Sequence, residues 1–137
     1  MNISDVENDH RIRLLDLIRR IPSGTPDGWE KTTFAVGGLA YIGFSNVRTE
    51  KLIVPIAGEG GGGLRRYSKD GNILVSAAPS WPMEKIIFMP DFISYTQNPE
   101  ECTVIFEDYA IKAFGFSKCG NYMAVCNSHT LEIFRKI

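Results

Sequence analysis

The glycine run in "IAGEGGGGLRRYSKDG", residues 56–71, is the stretch most open to a chemical reading. Gly58-Glu59-Gly60-Gly61-Gly62-Gly63 fits the pattern G-x-G-x-x-G. Placed after a strand and before a helix, such glycines bring backbone amides up to the phosphates of a dinucleotide. "KLIVPI" supplies the strand, but "LRRYSKDG" leaves only a few residues before the Lys69-Asp70-Gly71 turn, too few for the helix. The acidic residue expected about 20 positions further on falls among "SAAPSWP", which contains none. No Gly-Lys-Ser/Thr follows, so the loop is not of the Walker type. The favoured reading is a flexible corner, or a place where two backbones approach closely. The alternative is a ligand- or nucleotide-binding loop, with Arg65 and Arg66 holding an anion.

A second candidate lies near the C-terminus. His129 follows Ser128 and stands three residues after Cys126, which invites a nucleophile and its base. Neighbours along a strand point to opposite faces, and Asn127-Ser128 reads as a turn. A buried cysteine and a turn histidine are therefore expected. Cys102, Cys119 and Cys126 are odd in number and contain no C-x-x-C pair. That opposes both a disulfide framework and a zinc site. No pair of carboxylates has catalytic spacing. The expectation is a protein that is not an enzyme and uses no cofactor or metal.

The remaining polar clusters suit recognition better than catalysis. Glu100-Glu101 and Glu107-Asp108 flank the strand-like "CTVIF". They read as a solvated edge or, more sharply, as a lure for a basic protein surface, since complementary charge speeds association. Phe92 and Tyr95 lie in "PDFISYTQNPEE", where aromatics ringed by polar residues resemble interface anchors. Phe92, Tyr95, Glu100, Glu101, Glu107 and Asp108 are thus the candidate partner-binding residues. Trp81, in "PSWP", cannot occupy a regular central strand and is expected to plug the edge of the core.

The elements that must position these residues are short. The 137 residues suit one domain, with 44% hydrophobic and 23% charged residues. Fifteen basic against sixteen acidic residues oppose a general nucleic-acid surface. The polar N-terminus does not read as a secretory signal, and no apolar run approaches the roughly 20 residues of a membrane span. A cytoplasmic protein without membrane or nucleic-acid partners is expected. A helix is predicted over 4–21: Ser4 and Glu7 form a capping box, while Val6, Leu14, Leu17, Ile18 and Ile21 recur at helical spacing until Pro22. "PSGTPDGW" reads as a linker.

From 30 to 137 the texture is β. Strands are predicted at Thr32–Val36, Leu39–Phe44, Lys51–Ile56, Ile73–Ala77, Lys85–Met89, Thr103–Phe106, Ile111–Phe116, Tyr122–Cys126 and Leu131–Arg135. "YIGFSNVRTEKLIVPIA", "RRYSKDGNILVSAA" and "AFGFSKCGNYMAVCNS" each run from an aromatic residue through Ser and a turn into an apolar strand. In the last two, Gly71 and Gly120 are placed to take positive φ, so that strands fold back with the aromatic packed beneath. Such meanders look like propeller blades, but the chain is too short for a ring of blades of roughly 40–50 residues each. The expected fold is mainly β (α+β): an antiparallel, hairpin-built twisted sheet or two packed sheets, with the one N-terminal helix along one side.

"VGGLAYIGFS", "VPIAGEGGGGL", "SKDG", "SWP" and "KAFGFSKCGNYMAVCNSHTLEIF" stand in this order in the chain. In this the sequence resembles a group of small bacterial immunity proteins that accompany polymorphic toxins, including those of contact-dependent growth inhibition. The resemblance runs from about Ile12 to Phe134. Longer members of the group carry further residues between the segments that "NVRTEKLIVPIAGEG" joins directly here. The resemblance implies a protein that binds a cognate protein toxin, often a nuclease with a basic cleft, and covers its active site without turnover. It implies no catalytic residues.

Overall fold

A computed structural model of the chain describes residues 3–35, 46–49, 52–55 and 64–137. Its first element, α1 (Ile3–Arg19), ends two residues before the predicted limit. Arg20 and Ile21 form a tighter turn, their amides donating to Leu17 and Ile18 at 3.1 and 3.2 Å. Pro22 explains the early stop, because a residue before proline is pushed out of the α region. The predicted face is otherwise kept: Ile18 and Ile21 are buried and Leu14 and Leu17 half-buried. The side chains of Ser4, Val6 and Glu7 lie outside the described residues.

Among the described residues nine strands follow: β1 (Trp29–Ala35), β2 (Asn46–Thr49), β3 (Leu52–Pro55), β4 (Ile73–Ser80), β5 (Met83–Met89), β6 (Thr103–Asp108), β7 (Ala113–Phe116), β8 (Tyr122–Cys126) and β9 (Thr130–Lys136). All strand pairs are antiparallel, in sheets ordered β1-β9-β8-β7, β4-β5-β6 and β2-β3. β2 was not foreseen, and the predicted strand Leu39–Phe44 lies outside the described residues. The described residues are mainly β with one α-helix, as the texture of the sequence implies.

The two larger sheets face each other across one core. Trp29, Leu74, Ile86, Phe88, Ile105, Phe114, Phe116, Met123, Val125 and Phe134 meet there, drawn from both sheets. Alternation along β8 sets the inner face: Met123 and Val125 point inward, whereas Ala124 and Cys126 join an outer apolar layer with Leu131 and Ile133. On the three-stranded sheet the outer face receives α1, where Ile18 and Ile21 pack with Ile87, Met89, Cys102 and Val104. Burying each isoleucine contributes roughly 1.5–3 kcal/mol.

Both Ser-Lys-x-Gly-Asn stretches are turns, with Gly71 at φ 83° and Gly120 at φ 78°. Gly71 N–H donates to Ser68 O, and Gly120 N–H to Ser117 O. The two turns also touch, since a Cβ on Gly120 would sit 3.1 Å from that of Ser68. Only one of the preceding aromatics packs beneath as expected: Phe116 is buried, but Tyr67 is exposed.

Two short segments join what the strands leave separate. Arg65 pairs with Phe116 of β7, its N–H donating at 3.0 Å and its carbonyl accepting at 2.6 Å. Next to it, Leu74 N–H donates to Arg66 O at 2.8 Å, so residues 65–67 splice β7 to β4. On the far side of the same sheet, the linker is more than a linker: Ser23 forms a parallel bridge with Val104 of β6.

Candidate functional site

The candidate recognition residues divide between the two ends of β6. At one end, β5 and β6 are joined by residues 90–102, which carry Phe92, Tyr95, Glu100 and Glu101. Asp91 and Phe92 are consecutive non-glycine residues at φ 46° and 62°. A left-handed residue costs about 1–2 kcal/mol, so this turn must be held from outside. Asp91 N–H donates to Asn72 Oδ1 at 3.2 Å and Phe92 N–H to Gly71 O at 2.9 Å. Asn72 is buried. The Phe92 ring lies over Gly71, close enough that a Cβ there would come within 2.4 Å of it, yet the side chain is 80% exposed. The fold therefore holds the backbone that presents an apolar ring to water.

The rest of this excursion is more tied down than its composition suggests. Tyr95 is half-buried and packs with Ile93 on the layer beneath α1. Ser94 and Thr96 share a hydroxyl hydrogen bond of 2.7 Å, and a 3-10 turn runs from Pro99 to Glu101. Glu100 pairs with Arg20, tying the loop to the end of α1. Its carboxyl is held below the usual carboxylate range by its own backbone amide and then by Arg20. Glu101 is exposed.

Glu107 and Asp108 lie at the other end, about 20 Å away by the rise of a strand. Asp108 is a clasp between the sheets: it accepts from Asn127 Nδ2 in the β8–β9 turn and from Tyr109 N–H. Asn127 Oδ1 in turn accepts from the amides of His129 and Thr130 at 2.8 and 2.6 Å. Two aromatics stand out at this end. Trp81 does not plug the core; it is 77% exposed at the tip of the β4–β5 hairpin, beyond the Ser80–Met83 pair that closes it. Towards this tip β4 is exposed at alternate residues, and no core residue lies beyond Ile86 on β5. Tyr109, exposed beside Asp108, was not foreseen, because nothing in "EDYA" distinguishes it from a core aromatic.

Between the sheets, on the side where β6 looks toward β1 and β9, a cleft of about 300 Å³ opens. Ser23, Gly24, Lys31, Val104, Ile105, Phe106, Glu107 and Glu132 line it. Glu132 sits opposite Val125 on the inner face, where its neighbours are apolar, and its side chain is only 14% exposed. Lys31 Nζ is 3.7 Å from Glu132 Oε1, too far for a good hydrogen bond. Burial pushes the Glu132 carboxyl above its ordinary range, and Lys31 only partly opposes this. Of the six foreseen residues, only Glu107 touches this cleft.

The chemical candidates are dispersed. Cys126 is buried and its thiol pushed up by desolvation, whereas His129 is exposed in the turn. Arg66 lies 3.4 Å over the Phe114 ring, engaged by an aromatic face. The loop Gly58–Gly63 lies outside the described residues. Among the described residues no three His, Cys, Asp or Glu side chains converge as a metal site. Cys119 differs from the other cysteines: it is exposed, and a hydrogen bond with Ser117, followed by the Asn121 amide, lowers its thiol. Burial raises the thiols of Cys102 and Cys126. Native alkylation with iodoacetamide at pH 8 should therefore modify Cys119 alone, the other two reacting only after unfolding. Peptide mapping that found Cys126 modified as fast would contradict this packing.

Among the described residues, no helix is long and apolar enough to cross a membrane. In comparisons with known proteins, no family model, no curated protein and no solved structure matches the chain.

Proposed function

We propose that this chain is an immunity-type binding protein, which takes up a cognate protein toxin and covers its active site without doing chemistry of its own. The observation that carries the reading is Phe92. Two left-handed residues, a buried asparagine and a glycine are all arranged to keep its ring in solvent. The backbone held in this way fixes where the ring is presented to solvent, and an exposed aromatic ringed by polar residues suits an interface centre. Glu101 on the same excursion, with Glu107 across the sheet, offers negative charge to a basic surface such as a nuclease cleft. The resemblance to immunity proteins supplies the kind of partner. On this reading the chain acts in the cytoplasm, where free thiols suit the reducing conditions.

Co-expression with the protein encoded immediately upstream, followed by calorimetry on the purified pair, tests the proposal. A complex is expected. Phe92→Ala should weaken it by at least about thirtyfold, the loss of roughly 2 kcal/mol typical of an anchor. The melting temperature should stay unchanged, because the ring is exposed. Absence of a complex, or an unaltered affinity in the variant, refutes the assignment.

A further inference from the structure

At the end of the three-stranded sheet away from Phe92, strand register puts Glu84 of β5 directly opposite Asp108 of β6. Both stand on the inner face, since Ile86 and Phe106, the next residues of the same parity, pack on the shared core. Neutral donors serve them: Ser76 Oγ donates to Glu84 Oε2 at 2.9 Å, while Asn127 Nδ2 and Tyr109 N–H donate to Asp108. Among the described residues neither carboxylate forms an ion pair. Lys85, next to Glu84, alternates to the other face, where it stands opposite Glu107. Like charges directly opposite on neighbouring strands destabilise a sheet. A cation placed between these two relieves that repulsion as well as adding two attractions.

The same end carries two exposed aromatics. Asp108 leads directly into Tyr109, and Glu84 follows Met83, whose partner Ser80 closes the hairpin with Trp81 at its tip. Register therefore brings the backbones of Trp81 and Tyr109 to about 10 Å from each other, a span that two rings and one long side chain fill. The two side chains are 77% and 64% exposed. Carboxylates beside open aromatic faces select a cation with an apolar stem, which an arginine or lysine side chain supplies. A bare metal ion would leave the rings unused, and an acidic segment or a nucleic-acid strand would meet Glu84 and Asp108 with like charge. We propose that the β4–β5 tip and the end of β6 take one arginine or lysine side chain of the protein partner, its head between Glu84 and Asp108 and its stem against Trp81 and Tyr109. This rests on the reading of the chain as a protein-binding molecule, and adds a second contact, a strand's length from Phe92, with the residue chemistry it accepts.

The probe is the blocked peptide Ac-Gly-Arg-Gly-Arg-Gly-NH2, titrated into the isotope-labelled full chain and followed by amide and indole N–H shifts. Saturable shifts at millimolar peptide are expected at the Trp81 indole and at Glu84, Asp108 and Tyr109, while the indole of buried Trp29 stays in place. The same peptide with citrulline for arginine keeps the shape and loses the charge, and should bind at least about tenfold more weakly. Trp81→Ala should weaken binding about threefold, the loss typical of an exposed cation–π contact. Glu84→Gln leaves the Asp108 clasp intact; it should weaken binding yet raise Tm by about 2 °C, because it removes a like-charge pair. A lower Tm in that variant, unaltered affinity in either variant, equal affinity for the citrulline peptide, or no saturable shifts at this end overturns the proposal. The toxin takes no part in this titration, so its failure is separable from a failure of the Phe92 experiment.

Discussion

Phe116→Ala is expected to lower the unfolding free energy by about 4 kcal/mol, the range for deleting a fully buried aromatic. Phe116 has no exposed surface and ends β7 in the middle of the shared core. Its ring centroid lies 6.5 Å from that of Trp29, which itself meets Phe88 edge to face at 5.7 Å. Truncation would open a void between the sheets, and neither could close it: Phe116 is held by β8 on one side and by Arg65 on the other. The cost would then include lost contacts as well as lost transfer energy. Urea denaturation followed by fluorescence in a Trp81→Phe background measures it, leaving buried Trp29 as the reporter. Phe92→Ala in the same assay should change stability by less than about 0.5 kcal/mol, as for an exposed position. Equal losses at both sites would contradict the contrast between core and presented ring.

Gly115→Ala should cost about 3 kcal/mol, near the upper range for overpacking. A Cβ at Gly115 would lie 2.7 Å from Leu64 Cβ, 2.8 Å from Arg65 O and 3.1 Å from Arg65 N. Two of these are backbone atoms and cannot swing aside as an exposed ring can. The same Arg65 atoms exchange hydrogen bonds with Phe116, so relieving the overlap lengthens both bonds. Because Arg66 O also accepts from Leu74, the disturbance passes from one sheet to the other. Hydrogen exchange should therefore accelerate at Phe116 and at Leu74 together. Loss of protection at Phe116 alone would show that residues 65–67 do not splice the sheets.

Much of this was legible in the residues. Apolar alternation in "YMAVC" and "TLEIFRK" marks β8 and β9, and the two Ser-Lys-x-Gly-Asn turns announce where strands reverse. The candidate surface was legible only in part. Phe92 could be suspected from its polar surroundings, but the left-handed turn that presents it depends on Gly71 and Asn72, some 20 residues earlier. Asp108 read as a free charge and is a clasp, because its partner, Asn127, comes from another hairpin. Trp81 read as a plug because its flanking prolines report a break in a strand, without reporting that the break is a hairpin tip turned into solvent.

The sequence by itself determined the class of fold, the N-terminal helix and most of the β-strands, because side-chain periodicity and turn chemistry act over a few neighbouring residues. The tertiary structure alone decided that Pro22–Gly24 and Arg65–Tyr67 serve as pieces of sheet, since backbone amides and carbonyls pair alike whatever side chain they carry. It alone brought Lys31, Glu107 and Glu132 to one cleft. Residues so far apart in the chain meet only through strand order and the stacking of two sheets, which no local pattern encodes.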